Sequence, residues 1–405
     1  MAANSSPSNP HETSLILSDL DERTVRRRSV LWEFGAQEPV LSELLTYCET
    51  KFEHSDSTVS RQFPLPDEPF VPTWENYEIE ARSRGAVEAL RERLVQWQFP
   101  IREGISQTDG YRAATRKGKP PAQCMEATGL VLKAPDQARL TLHITPAGRI
   151  PVIIVPDRDD FVAIVRALTM RNEPLPVPAS MGATMVAGYN NWDRIRTLRR
   201  HWEASHPGRD DDDAWEEEFK RLIPRRELYQ DRFMILSDGP YSGVPAEAMG
   251  LTEEAWREIS LIIRRDHECC HYFTRRVFSS MRNHLLDELI ADYAGITVAL
   301  GYYRADWFLR FVGLEEASGY REGGRLQNYR GLPALSDAAF EILQALVRRA
   351  ATNLERFDQG LGWRIRSHKQ CAALISALTT LGLEEMAADD GTERMEQALG
   401  RSINQ

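Results

Sequence analysis

The chain has 405 residues, enough for two or three domains, and its 42% hydrophobic content can fill a sizeable core. A formal net charge of -10 argues against general nucleic-acid binding, and no apolar run is long enough to span a bilayer. Five cysteines without a secretory signal point to free thiols in a reducing, cytoplasmic setting.

Residues 1–13 are polar and read as a disordered tail. A mainly helical region follows over 14–121, with helical spacing of apolar positions at 42–52 and 75–97 and a Pro-rich connector at 64–72. Arg26 to Arg28, beside Asp19, Asp21 and Glu22, read as a solvated charged face. The stretch 100–121 has few apolar residues and predicts a long surface loop, in which Tyr111, Arg112, Arg116 and Lys117 are candidate contacts for an anionic substrate.

Strand signals begin in the next region, 122–300. Short β-branched or alternating runs at 129–132, 139–144 and 150–155 are separated by turn residues and predict a small antiparallel or mixed sheet. A helix over 161–171 comes next, capped by Asp159 or Asp160, then an ordered loop at 174–191 and a helix at 192–202. The acidic run at 210–213 lacks the spacing of an EF-hand and reads as a solvated helix start. Residues 232–236 are a further strand.

The residues suited to chemistry are concentrated at 251–300. No Pro or Gly interrupts 251–280, Thr252 offers an N-cap, and Glu253 and Glu254 put negative charge in the first turn. Trp256, Ile259, Ile263, Cys270 and Val277 recur at helical spacing, so one long helix is predicted. Within it His267, Glu268 and His271 form H-E-x-x-H. Residues four apart share a helical face, so both imidazoles can bind one metal ion. Glu268, turned to one side of them, suits a base acting on metal-bound water. Cys269 and Cys270 read as small core residues, because adjacent helical side chains diverge and a disulfide between neighbours is strained. The next predicted helix, 283–300, carries His284, Glu288 and Asp292 at intervals of four, hence on one face.

HECCH followed by DELIAD resembles the thermolysin-like branch of zinc metallopeptidases, the gluzincins, over about 232–300. The resemblance implies Glu288 as third ligand and Asp292 as the group that orients His267. Sixteen residues separate His271 from Glu288, a tighter link than in the familiar gluzincins, so His284 and Asp292 stand as alternative third ligands. Glu288 is preferred because its carboxylate completes a His2Glu site with an open position for water. The metzincin pattern is absent, since no third His follows in the required place. The resemblance also makes the strand at 232–236 a substrate-pairing edge and the turn after it a rim. Tyr241 is then a candidate for holding the oxyanion, in competition with Tyr272, Tyr293, His284 and His368.

Region 301–405 is helical again, at 305–312, 337–356, 370–381 and 392–399, with a Gly-rich loop at 319–331 over or beside the cleft. The expected architecture is α+β: a zincin-like small sheet on an active-site helix, flanked by mainly helical N-terminal and C-terminal regions. The expected function is a zinc-dependent hydrolase of an amide or peptide bond, with one zinc per chain and Glu268 as general base. The alternatives are a metalloenzyme modifying a small molecule in a biosynthetic pathway and, disfavoured by the intact Glu268, a non-catalytic metal-binding protein. Zinc suits imidazole and carboxylate, although iron, manganese or cobalt accept the same donors.

Overall fold

The computed structural model describes residues 21–54, 62–208, 211–281, 284–317, 319–362 and 367–403, so the polar stretch 1–13 lies outside the described residues. Four strands form one mixed sheet: β1 (Arg139–Thr145), β2 (Gly148–Ile154), β3 (Ala183–Asn190) and β4 (Gln230–Leu236), in the order β1-β2-β4-β3. The β1–β2 hairpin and the β3–β4 pair are antiparallel, and β2 runs parallel to β4. Both faces of the central pair are buried, as parallel pairing favours. Val152, Ile154, Met234 and Leu236 join the core of the long helix Glu253–Phe278, whereas Ile153, Val155, Phe233 and Ile235 pack with helices Val71–Arg84 and Arg158–Thr169. The fold is therefore α+β, with the sheet between two helical layers.

The C-terminal helices Asp337–Gly360 and His368–Leu378 share the core of Glu253–Phe278, and so does the N-terminal helix Val40–Tyr47. Ion pairs fasten the two ends of the chain together: Arg27 meets the buried Glu384, and Arg23 meets Glu385 at 2.6 Å. Among the described residues no helix is long and apolar enough to cross a membrane.

Several local expectations change. Residues 129–132 form no strand, while 183–190, whose small residues hide the alternation, form β3. β4 consequently lies between β2 and β3 rather than at an edge, with both sides paired over Met234, Ile235 and Leu236; the free edge on that side of the sheet belongs to β3. The stretch 100–121 folds rather than loops: Thr108 caps helix Asp109–Lys117, and Gly118 ends it in the left-handed region at φ 64°. Tyr111 is buried against Phe99 and donates to Asn172 Oδ1 at 3.2 Å, so it is a core residue rather than a substrate contact.

Candidate metal centre

Helix Glu253–Phe278 forms as its sequence dictates. Thr252 accepts a hydrogen bond from Ala255 N at 3.2 Å, and Trp256, Ile263, Cys270 and Val277 are buried along one stripe. On that helix His267 and His271 bring their Nε2 atoms to 3.1 Å of each other. The link to the next helix turns through two residues at positive φ, Ser279 at 57° and His284 at 51°.

Helix Leu285–Leu300 then packs closely along the first, with Gly295 at the crossing: a Cβ there would sit 2.5 Å from Ile263 O. This close approach brings Glu288 to the histidines, with Oε2 3.6 Å from His267 Nε2 and Oε1 3.4 Å from His271 Nε2. Zinc bonds of about 2.0–2.1 Å at tetrahedral angles separate ligand atoms by roughly 3.3 Å, so the three donors stand where one ion requires them. Glu288 and Asp292 are two buried carboxylates that face His267, His271 and the guanidinium of Arg325. Burial works against a charged His271, but Glu288 outweighs it and raises the imidazole to about 9. Burial likewise opposes the Glu288 carboxylate, yet His271, His267 and Arg325 hold it well below the usual range. Glu268 is half-buried and forms no hydrogen bond or ion pair among the described residues, so its carboxylate is available to a substrate or water.

Behind His267 stands a connected network. Its Nδ1 lies 2.7 Å from Asp292 Oδ1, and an Nδ1 proton donated there frees the Nε2 lone pair for a metal. Tyr241 donates its hydroxyl to Asp292 Oδ1 at 2.5 Å. Arg325 pairs with Asp292 Oδ2 and donates to the Tyr241 hydroxyl at 3.0 Å. Burial disfavours the Asp292 charge, but Arg325 and His267 keep it below the ordinary carboxylate range. On the ligand side, Tyr329 donates to Glu288 Oε2 at 2.6 Å, and its own carbonyl accepts from Tyr47 at 2.7 Å. His271 has no such support, for its Nδ1 is buried without a partner among the described residues.

These contacts sort the sequence candidates. His267, His271, Glu288 and Asp292 come together as expected, with Glu268 beside them. Tyr241 belongs to the centre, but its hydroxyl faces Nδ1, the side of His267 away from the ligand atoms, so it orients and cannot hold an oxyanion. Tyr272 points elsewhere and spends its hydroxyl on Glu68 Oε2 at 2.7 Å. His284 stands apart from the cluster of His267, His271 and Glu288: it precedes the helix rather than joining its face, and it stacks on Tyr47 with ring centroids 4.7 Å apart. Tyr293 donates to Asp358, and His368 opens the helix His368–Leu378.

Sequence reasoning missed Arg325 and Tyr329. Both sit on the short turn of helix Arg325–Tyr329, inside the Gly-rich segment expected over or beside the cleft, but nothing in that segment names their partners. No curated protein and no solved structure matches the chain. Residues 29–390, a span that contains every residue of this centre, match the family of unknown function DUF7005, and the chain belongs to that family.

Proposed function

We propose that the protein is a zinc-dependent hydrolase of amide bonds, peptides being the best-fitting substrates. The observation that carries this reading is the convergence of His267, His271 and Glu288 at 3.1–3.6 Å beside Glu268, a carboxylate without a hydrogen bond or ion pair among the described residues. His267, His271 and Glu288 would hold the ion. A zinc ion held there supplies a Lewis acid that polarises a carbonyl and makes water acidic enough to react near neutral pH. Glu268 takes a proton from the attacking water as its oxygen bonds to the carbonyl carbon. It then returns that proton to the amine as the C–N bond breaks. Tyr329, whose hydroxyl donates to Glu288 Oε2, would hold the third ligand in place. The free edge of β3 starts beside Arg264, one helical turn before Glu268, and offers backbone pairing to an extended chain.

A second reading, a metalloenzyme acting on a small molecule, draws on burial: His267 and His271 are each only 6% exposed. Incubation with a broad peptide mixture and with a metabolite pool separates the two. Peptide cleavage that disappears in Glu268→Gln, with zinc retained, supports the first reading; a loss of about 10²–10⁴-fold is expected for a general base. Peptides left intact while a metabolite is consumed would sink it.

A further inference from the structure

We propose a second metal site on the other flank of the same helix, built from His143, Asp266 and Cys269 and suited to a zinc-class divalent ion. Asp266 and Cys269 stand three apart on helix Glu253–Phe278 and therefore share a face. That face meets β1, where His143 projects toward it with Nε2 3.4 Å from Asp266 Oδ1. The imidazole nitrogen, the carboxylate oxygen and the Cys269 sulfur all lie within 4.8 Å of one another. A zinc–thiolate bond of about 2.3 Å beside bonds of about 2.0–2.1 Å asks for separations of roughly 3.3–3.6 Å, and the His143–Asp266 pair already stands at 3.4 Å.

The surroundings suit such an ion. Arg265 grips Asp266 through Oδ2, at 2.8 and 3.1 Å, which fixes the carboxylate and leaves Oδ1 for the metal. The Cys269 thiol is buried and makes no hydrogen bond among the described residues, so its sulfur is uncommitted to any other polar partner there. Imidazole, carboxylate and thiolate together are a zinc donor set, and the partly exposed side of the cluster leaves a fourth position for water. Asp266 directly precedes His267, and Cys269 directly follows Glu268. An ion here pins β1 to the helical turn that carries the first centre and fixes its register against the sheet. The role is positional, and it holds whatever reaction the first centre performs.

Cobalt distinguishes the two sites, because only the second contains sulfur. The full-length chain, stripped with a chelator and reloaded with cobalt(II), is expected to take up about two ions and to show a near-ultraviolet thiolate charge-transfer band. Cys269→Ser should lose the band and one equivalent, whereas His271→Ala should lose one equivalent and keep the band. Should Cys269→Ser fail to fold, His143→Asn changes a partly exposed strand residue and carries the same expectation. A folded, cobalt-loaded wild type with a single ion and no band overturns the proposal. So does a band that survives in Cys269→Ser or in folded His143→Asn.

Discussion

His267 and His271 sit one helical turn apart and face the same point, yet they are held in different ways. His267 is fixed at Nδ1 by Asp292, which Tyr241 and Arg325 fix in turn, so its tautomer and ring plane are set before any ion arrives. His271 has a buried Nδ1 without a partner among the described residues, and its orientation comes from packing and from Glu288. One imidazole is thus preorganised by hydrogen bonds, and the other is free to change its protonation state. The contrast teaches that the placing of the two imidazoles and their orientation are encoded separately: the first by helical spacing, the second by contacts from distant segments.

The largest effect should come from removing the less supported ligand. His271→Ala leaves only His267 and Glu288 of the three clustered donors, so the first centre should lose its ion and activity should fall to background. Metal analysis of the folded variant checks this. An unchanged metal content would show that the site is built on other residues.

Perturbing the support of His267 should cost less. Arg325→Met leaves the ligands intact but removes the cation that holds Asp292, and outer partners of this kind are worth about 10–100-fold in metal affinity or activity. Zinc competition with a chelator measures it. Tyr241→Phe, which removes the hydroxyl from the same carboxylate, should move affinity in the same direction; two wild-type affinities would erase the contrast between the histidines.

That contrast also marks how far the sequence could be read. Thr252, the long helix, the ligand pair and the Glu288–Asp292 spacing all obey the helical period, a local property visible in one stretch of chain. The α+β build and most C-terminal helices follow from the same periodicity, and Ala305–Val312 falls where its pattern places it. Arg325, Tyr329 and His143 reach the helix through tertiary contacts spanning 33, 41 and more residues, for which no local pattern exists. Tyr241 was visible, but its role was not, because its distance along the chain does not say which nitrogen of His267 it faces. β3 was lost for another reason: Ala183, Ala187 and Gly188 are too small to mark an alternation, and its burial is irregular along the strand.

Protonation gives a third test of the contrast, smaller in size. In metal-free protein the His271 imidazole is raised from 6.5 to about 9 despite its burial, because Glu288 favours the charged form. A raised pKa means that the folded state holds the proton more tightly than the unfolded one. The stabilisation is complete below 6.5 and is lost as pH climbs through about 9. Glu288 is lowered, so its contribution is present above 4.5 and disappears on further acidification. The chelated protein should therefore show the site's stabilisation best between 4.5 and 6.5 and lose melting temperature on the alkaline side. Zinc-loaded protein should resist that alkaline loss, since the ion takes the place of the proton. Identical alkaline slopes with and without zinc would mean that His271 does not exchange one for the other.

The smallest effect should separate the helix from its chemistry. Thr252 caps the helix near solvent through Ala255 N, well before the turn that carries His267, and touches neither histidine nor any of their partners. Thr252→Ala removes one acceptor for an otherwise unpaired N–H and should cost about 1 kcal/mol in denaturant unfolding. Metal affinity and the activity of folded protein should stay as in the wild type, because the packing of Trp256 and Ile263 and the crossing at Gly295 hold the ligand turn independently of the fraying end. If the cap variant instead weakened zinc binding as much as Arg325→Met does, His271 would owe its position to the rigidity of the whole helix, and the division between a hydrogen-bonded and a packed ligand would give way to a single cooperative unit.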